Sequence, residues 1–425
     1  MMERIGIGIV GLGTVGGSVA KIIEEHGKRL AQRAGVELYV KRAVVRNPSK
    51  YHHFSFPISC DVEDLLKDDD VEIVVELMGG VETPFEIAKK VFKCKKALVT
   101  ANKAMLAYHA QDLIELSKGL PFGFEASVCG GVPIIEILRD SLVANDFGGF
   151  EGIFNGTSNF VLSKMLEDRC DFSQALHKAQ ELGYAEADPS LDINGGDAGH
   201  KLLILAKLAY GVCVKPEEIL VEGIEQIGLE DMCFADELGY AIKLVGIAKK
   251  DGEVLDLRLH PALLHKDNDL SNVNGVKNAI SLHGDCVKDL FVSGFGAGGE
   301  VTASAVIADI VHIARLRNAS PYPCPPFGFF EYQNLLKIKP LEEIQSAYYL
   351  RFIVRDEYGV LANITSSLAH FGISVKQILQ KSSHSEATII LITHCVQEKN
   401  ITLALQEIQK MDWILTSPCK IRINE

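Results

Sequence analysis

Several features that mark other classes of protein are missing from this 425-residue sequence. No apolar run approaches ~18 residues, so no membrane-spanning helix is expected, and the first residues lead straight into a strand pattern rather than an export signal. The ten cysteines contain no C-x-x-C pair, which argues against a zinc knuckle, a thioredoxin-type site or a dense disulfide framework. Basic residues are also fewer than acidic ones: the chain has 43 Lys and Arg and 56 Asp and Glu, which gives a formal net charge of −13. These absences predict a protein of the reducing cytoplasm that binds neither membranes nor nucleic acids.

What is present is typical of a globular enzyme, with 47% hydrophobic and 23% charged residues. The length predicts two to three domains. The pattern divides into a block at 1–131, a second at 132–304, a linker at 321–346 that begins with four prolines in six residues, and a self-contained block at 347–425. A long helix predicted over 305–320 is expected to complete the first block.

The first block alternates short apolar runs with amphipathic stretches, which predicts strands joined by crossover helices and hence a parallel sheet. Its predicted strands are Ile5–Val10, Tyr39–Val45, Ile73–Glu76, Ala97–Thr100 and Pro121–Glu125, with helical patterns such as Pro84–Cys94 and Ala110–Lys118 between them. The second block mixes helices with sheet and has an α+β pattern. The third block predicts the order βαββαβ, with a strand at Tyr348–Val354 and a helix that ends before Gly372.

A dinucleotide-binding loop is indicated by Gly11-Leu-Gly13-Thr14-Val15-Gly16, which follows an apolar strand and opens a helix. Its glycines allow a tight turn and let the backbone approach a pyrophosphate, as in a doubly wound Rossmann-type sheet. The second strand ends in Val45-Arg46-Asn47, where an NAD enzyme usually has a carboxylate. A cation at that place favours the 2′-phosphate of NADPH over NADH, although an ordinary surface arginine is the alternative.

A cluster of carboxylates followed by a lysine occupies residues 181–201. Asp197 and Lys201 share one face if a helix has begun by then, and the apolar residues that follow predict burial. A buried lysine beside a carboxylate suits a proton donor to a developing alkoxide, whereas the alternative is a structural salt bridge. Lys103 follows a predicted strand at the edge where ligands bind in open sheets, or is a surface lysine. The polar turn Asn155–Asn159 lacks the pattern of a serine-hydrolase elbow and receives no role.

Taken in order, these segments resemble the homoserine dehydrogenase family in the form that carries a C-terminal ACT domain. The resemblance covers essentially the whole chain, and its most specific part is LGYAEADPSLDINGGDAGHK at 182–201. The other matching motifs are GLGTVG at 11–16, VTANKAMLA at 99–107, FEASVCGGVPII at 124–135, GIFNGTSNF at 152–160 and GAGGEVTASAV at 296–306.

The resemblance implies reduction of L-aspartate 4-semialdehyde to L-homoserine with NADPH, in the biosynthesis of threonine, methionine and isoleucine. Lys103 and Lys201 match the family's two catalytic lysines, with Asp197 beside them, and Glu186 and Asp192 match substrate-binding positions. The matching cofactor positions are Gly11, Gly13, Thr14, Val15, Gly16, Arg46, Thr100, Lys103 and Gly298. A site for a monovalent cation, Na⁺ or K⁺, corresponds to Glu125, Val128, Gly130 and Val132, mostly through backbone carbonyls.

The third block is similar to an ACT domain, and Asp356, Gly359 and Asn363 match the first strand–helix loop in which such domains bind an amino acid. L-threonine is the implied effector, and the implied assembly is a homodimer or homotetramer. Two other functions are compatible with the residues: a non-catalytic sensor that binds the cofactor without turnover, and a dehydrogenase of a different small aldehyde or ketone.

Overall fold

The computed structural model describes residues 2–317, 324–331, 336–383 and 385–424. Parts of the predicted linker (321–323 and 332–335) and the end of the predicted helix at 305–320 (residues 318–320) lie outside the described residues. Within the described residues no helix is both long enough and apolar enough to cross a bilayer.

The strands, in chain order, are β1 Arg4–Val10, β2 Glu37–Val44, β3 Ile58–Ser59, β4 Val71–Glu76, β5 Ala97–Thr100, β6 Phe122–Gly123, β7 Phe147–Ile153, β8 Leu220–Val221, β9 Tyr240–Asp251, β10 Val254–His265, β11 Lys277–Gly284, β12 Lys288–Phe295, β13 Lys337–Ile338, β14 Gln345–Arg355, β15 Val375–Ser383, β16 Glu386–Thr393, β17 Val396–Gln397 and β18 Cys419–Asn424.

The helices are α1 Thr14–Ala34, α2 Val62–Leu66, α3 Glu82–Lys93, α4 Lys103–Ser117, α5 Ile134–Glu136 (continued by a π-helical turn at Ile137–Ser141), α6 Gly156–Glu167, α7 Phe172–Glu181, α8 Ser190–Ile193, α9 Gly196–Tyr210, α10 Leu229–Glu237, α11 Gly299–Leu316, α12 Val360–His370 and α13 Glu398–Ile408.

The chain forms two compact units, each built from segments that are not contiguous in sequence. The first consists of Met1–Gly148, Asp197–Glu218 and Val276–Leu336, and the second of Gly149–Gly196, Ile219–Gly275 and Lys337–Glu425.

The first unit contains a six-stranded parallel sheet in the order β3-β2-β1-β4-β5-β6, which is the doubly wound order with its switch point between β1 and β4. The central strand β1 is buried from Ile5 to Val10, as expected for a parallel strand covered on both faces. Helix α1 and helix α11 pack against each other and share one apolar core with the sheet. The helix predicted at 305–320 therefore begins six residues earlier, at Gly299, and joins this core.

The second unit contains a mixed sheet that includes the strand order β7-β9-β10-β18-β14-β16-β15. Its last four strands, with α12 and α13, form the predicted βαββαβ block around a separate apolar core. This block is not closed off from the preceding chain, because β18 pairs in parallel with β10, Ala262 opposite Arg422. The predicted block thus has its own core but shares a continuous sheet with the strands before it.

A buried ionic cluster reinforces that junction. The guanidinium of Arg422, which is 2% exposed, donates to Glu398 of α13 at 2.9 Å and to Glu222 at 2.6 and 3.1 Å. Nearby in the same unit, Arg351 of β14 donates to both carboxylate oxygens of Asp231 at 2.6 and 2.9 Å. The buried guanidinium of Arg422 and the partly buried guanidinium of Arg351 are both paired with carboxylates, which is the condition under which burial of charge is tolerated.

Candidate active site

The glycine-rich loop turns tightly between β1 and α1. The amide of Gly11 donates to the Val44 carbonyl at 2.9 Å, so the loop lies beside the end of β2. A Cβ on Gly16 would lie 2.0 Å from the Gly11 carbonyl oxygen, which only glycine avoids, whereas a Cβ on Gly13 would meet nothing within 4 Å. The close approach fixes the turn, and the open space beside Gly13, the N-cap residue of α1, leaves the helix N-terminus accessible to a phosphate.

Two further predicted cofactor positions are placed beside this loop. Gly298 has a φ of 132° and is the N-cap residue of α11, and a Cβ on the next residue, Gly299, would lie 3.2 Å from the Thr14 carbonyl oxygen. Val15 packs against the core of the first unit. Arg46 is exposed two residues beyond β2, at the same carboxyl edge of the sheet as the glycine loop.

The carboxyl ends of β4 and β5 carry a buried hydrogen-bond network that leads to Lys103. The hydroxyl of Thr100 donates to Glu76 at 2.6 Å and accepts the amide N–H of Asn102 at 3.0 Å. The Asn102 side chain then caps α4, whose first residue is Lys103. Glu76 is fully buried, and burial raises its pKa to about 7.

Sequence reasoning gave Glu76 no role. The signal that could have found it is its place as the last residue of a buried strand, directly opposite Thr100 in the parallel register. Thr100 itself is fully buried, and its hydroxyl is engaged by Glu76.

Asp197 brings the two predicted catalytic lysines together. Its Oδ2 lies 2.7 Å from Nζ of Lys201, one turn along α9, and its Oδ1 lies 2.9 Å from Nζ of Lys103 at the start of α4. Asp197 and Lys201 are almost buried, while 43% of the Lys103 side chain is exposed. Burial alone would raise the pKa of Asp197, but the two ammonium groups outweigh it and hold that pKa well below its usual range. The cluster is therefore one carboxylate that forms ion pairs with two cations at the carboxyl edge of the sheet.

The thiol of Cys129, on which Lys201 and Asp197 act electrostatically, is not a nucleophile. Cys129 is 1% exposed, and burial raises its pKa to about 11 against the opposing influence of Lys201. It therefore remains a neutral thiol near pH 7, and chemistry through a thiolate is not supported at this position.

The two predicted substrate-binding carboxylates belong to the second unit. Glu186 is exposed, and its backbone carbonyl accepts from the side chain of Gln180 at 3.2 Å. Asp192, in α8, is half-buried and accepts a hydrogen bond from Asn155 at 2.7 Å. Glu186 thus presents its carboxylate to solvent, whereas the carboxylate of Asp192 is held by a neighbouring side chain.

The predicted cation site lies in the loop from Glu125 to Val132. Both carboxylate oxygens of Glu125 accept backbone N–H groups of α5, at 2.9 and 2.8 Å, and burial together with Asp309 raises the pKa of Glu125 to about 8. Cys129 and Gly130 have φ of 55° and 48°, so the loop turns back on itself. The carbonyl of Val132 accepts from the amide of Ile134 at 2.8 Å.

No cluster of three or more His, Cys, Asp or Glu side chains suited to a metal ion occurs among the described residues. The predicted donors are instead one carboxylate and backbone carbonyls, including that of Val128. An all-oxygen set of this kind fits a hard cation, and a positive charge would offset the buried carboxyl groups of Glu125 and Asp309.

The βαββαβ block contains a cavity of about 610 Å³ beside the loop between β14 and α12. Asp356 and Gly359 line it, and Gly359 adopts a φ of 89° at the start of α12. Asn363 lies one turn further along α12, where it is exposed and not part of the cavity lining. Of the predicted effector residues, the structure therefore brings two to the cavity and leaves Asn363 beside it.

A doubly wound sheet, a glycine loop at its switch point and a lysine–carboxylate cluster at the same edge define a nicotinamide-dependent oxidoreductase. Comparison with known families gives a more specific class. A model described as homoserine dehydrogenase matches residues 133–311, one described as homoserine dehydrogenase, NAD binding domain, matches 11–120, and one described as ACT domain matches 348–412.

Individual relatives agree with these matches. The homoserine dehydrogenase of Helicobacter pylori is 51% identical over 425 residues, with 100% of both chains covered. The crystal structure of a homoserine dehydrogenase from Thiobacillus denitrificans is 39% identical, with a TM-score of 0.93 and 100% of both chains covered. A hyperthermophilic archaeal homoserine dehydrogenase solved in complex with NADPH is 28% identical, with a TM-score of 0.63, and covers 74% of this chain and 99% of its own.

The chain belongs to the homoserine dehydrogenase family, and it is an NAD(P)-dependent oxidoreductase that acts on a CH–OH group. The predicted family, enzyme class and fold class are confirmed: a Rossmann-like parallel sheet, a mixed sheet and a C-terminal ACT domain.

Proposed function

We propose that this enzyme catalyses the reversible, NADPH-dependent reduction of L-aspartate 4-semialdehyde to L-homoserine, in the biosynthesis of threonine, methionine and isoleucine. The observation that carries the proposal is the position of Asp197 between Lys103 and Lys201. Two ammonium groups at one carboxylate supply the positive field and the proton that an alkoxide needs as it forms.

When bound, the nicotinamide cofactor would supply the hydride to the aldehyde carbon. Lys201, buried against Asp197, donates its proton to the carbonyl oxygen, and Lys103 adds a second positive charge from the more exposed side. Asp197 pairs with both lysines and fixes the directions of their ammonium groups. Glu186 is assigned the ammonium group of the substrate, and Asp192 its hydroxyl end or the lysines.

NADPH is proposed over NADH because Arg46 is exposed just beyond the end of β2, where a 2′-phosphate would be placed. The archaeal relative solved with NADPH supports the same choice. Gly11, Gly13, Thr14, Val15 and Gly16 would hold the pyrophosphate on the N-terminus of α1, with Thr100, Lys103 and Gly298 at the nicotinamide side.

We further propose a cation site, an effector site, and the location, assembly and domain bounds of the enzyme. Glu125 and the carbonyls of Val128, Gly130 and Val132 would hold Na⁺ or K⁺. L-threonine would inhibit through the ACT domain, at the cavity lined by Asp356 and Gly359. The chain would act in the cytoplasm as a homodimer or homotetramer, with domains at 1–131, 132–304 and 347–425.

The proposal is tested by following the loss of NADPH absorbance with L-aspartate 4-semialdehyde, and then with NADH. Turnover with a clear preference for NADPH is expected. Turnover with NADH alone would contradict the role of Arg46 in selecting NADPH but would support the proposed reaction. Binding of NADPH without turnover would favour a sensor, and turnover only with another aldehyde in a substrate panel would change the assigned substrate.

A further inference from the structure

The segment that contains both predicted substrate carboxylates is held by the first turn of α6. The hydroxyl of Thr157 donates to the carbonyl of Tyr184 at 2.7 Å, and the hydroxyl of Ser158 donates to the carbonyl of Asp192 at 2.6 Å. Both hydroxyl groups belong to the polar turn at 155–159, to which sequence reasoning gave no role. One helix turn therefore fixes the backbone at two points of the segment 184–192.

A third contact from the same turn reaches a functional group rather than the backbone. Nδ2 of Asn155 donates to Oδ1 of Asp192 at 2.7 Å, while Oδ1 of Asn155 accepts the backbone N–H of Ser158 at 2.7 Å and caps α6. The amide can take only this orientation, because a backbone N–H can only donate and a carboxylate can only accept. Asn155 is 4% exposed, so it is fixed by its surroundings.

The backbone beside Asp192 is supported from the opposite direction. The amide of Ile224 donates to the carbonyl of Ile193 at 2.8 Å. A Cβ on Gly223 would lie 2.2 Å from that same carbonyl oxygen, so this close approach requires glycine. With the backbone held on both sides, the remaining freedom at Asp192 is rotation of its carboxylate, and Asn155 restricts that rotation.

We propose that Asn155 is a positioning residue of the reaction: its amide holds the Asp192 carboxylate in the orientation that receives substrate. The inference rests on the proposed function, in which Asp192 binds substrate. It adds a residue whose amide donates a hydrogen bond to Oδ1 of Asp192 and so restricts how that carboxylate is turned. A hydrogen bond to a charged group is among the stronger ones, so its loss is measurable in substrate affinity.

The test separates this role from helix capping. In Asn155→Ser the side chain still caps α6, because serine is as good an N-cap as asparagine, but it no longer reaches Asp192 as a donor. Asn155→Asp also keeps a good cap and places a second carboxylate against Asp192. Asn268 offers a matched control, since its Oδ1 caps a short 3₁₀ helix and its Nδ2 donates to Glu151 at 3.1 Å.

The measurements are kcat, KM for L-homoserine and for L-aspartate 4-semialdehyde, KM for NADPH, and the unfolding midpoint. In Asn155→Ser the KM for both substrates is expected to rise about tenfold, with the KM for NADPH and the unfolding midpoint close to wild type. Asn155→Asp is expected to lose more substrate affinity than Asn155→Ser, and Asn268→Ser to leave every kinetic constant unchanged. In the double variant with Asp192→Asn, the loss from Asn155→Ser is expected to disappear, because the two side chains act as one unit.

An unchanged substrate KM in Asn155→Ser, an equal effect of Asn268→Ser, or strictly additive losses with Asp192→Asn would each overturn the positioning role. A lower unfolding midpoint with a normal substrate KM would show that Asn155 acts only as a helix cap, and this result would also overturn the positioning role. A wild-type enzyme that does not turn over these substrates overturns the proposed function and this inference with it. An active wild type with a kinetically normal Asn155→Ser overturns the inference alone.

Discussion

Nζ of Lys201 and Oδ2 of Asp197 lie 2.7 Å apart, one turn from each other on α9. Lys103 pairs with the other oxygen of the same carboxylate. The two lysines therefore share Asp197. This arrangement leaves one more positive charge than negative charge in the cluster. An excess of that sign is what a site needs when the group formed in the reaction is an alkoxide.

Replacement of Lys201 by alanine should abolish most turnover without loss of the cofactor. General acid catalysis contributes roughly 10²- to 10⁴-fold, so kcat is expected to fall in that range while NADPH binding, measured by fluorescence, stays close to wild type. Asp197 keeps Lys103 as a partner in this variant, so its charge is not left unpaired.

The matched control for that experiment is Lys207→Ala. Lys207 is 4% exposed on the same helix, and its Nζ contacts Sγ of Cys213 at 2.8 Å rather than the carboxylate. Near-normal turnover in Lys201→Ala, or an equal loss in Lys207→Ala, would contradict the role of Lys201 as proton donor.

Replacement of Arg46 by alanine should weaken the binding of NADPH more than the binding of NADH. The guanidinium would pair with the 2′-phosphate, which NADH lacks, so the KM for NADPH is expected to rise about tenfold while that for NADH changes less than about twofold. Arg42→Ala is the control, because Arg42 lies on β2 and pairs with Asp68 at 3.3 Å. An equal rise in KM for the two cofactors would show that Arg46 does not recognise the 2′-phosphate.

The buried carboxyl of Glu76 should make stability depend on pH. Its pKa is raised from 4.5 to about 7, so the folded protein binds the proton more tightly than the unfolded chain does. Stability from this group is therefore fully present below pH 4.5 and is lost as pH rises towards 7, by up to about 3 kcal/mol. Above pH 7 the buried carboxylate is ionised, and the free energy of unfolding stays lowered.

Glu76→Gln removes the ionisation while it keeps a carbonyl oxygen for the Thr100 hydroxyl. The unfolding midpoint of this variant, relative to wild type, is expected to be higher at pH 8 than at pH 5. Glu115→Gln, at an exposed position of α4, should show no such trend. A difference between Glu76→Gln and wild type that is the same at both pH values would argue that Glu76 is already ionised throughout.

Local patterns in the sequence predicted the parts of the site that depend on neighbours along the chain. The pairing of Asp197 with Lys201 follows from their spacing once a helix begins at Gly196, and the glycine loop follows from its place between a strand and a helix. The contact of Asn155 with Asp192 joins residues 37 positions apart, and no local period indicates it. The pairing of β18 with β10 is equally non-local, so the ACT domain was expected to be more separate than it is.

That shared sheet decides how the effector site should be tested. Deletion of residues 347–425 would remove β18 and expose the edge of β10, so any loss of activity would be hard to assign to regulation. A point substitution in the cavity avoids this problem. Asp356 and Glu357 are the two carboxylates that line the cavity, and Asp356 is the one that the resemblance to ACT domains assigns to an amino-acid effector, whose ammonium it would pair with.

Asp356→Ala is therefore expected to raise the concentration of L-threonine needed for half-inhibition by about tenfold or more, because a hydrogen bond to a charged group is lost. The KM for substrate and kcat without threonine should match wild type. Asp412→Ala, at an exposed carboxylate of the same domain outside the cavity, is the control. Calorimetry on each variant measures threonine binding directly, and normal inhibition of Asp356→Ala would place the effector elsewhere, with Asn363→Ala as the next variant on α12.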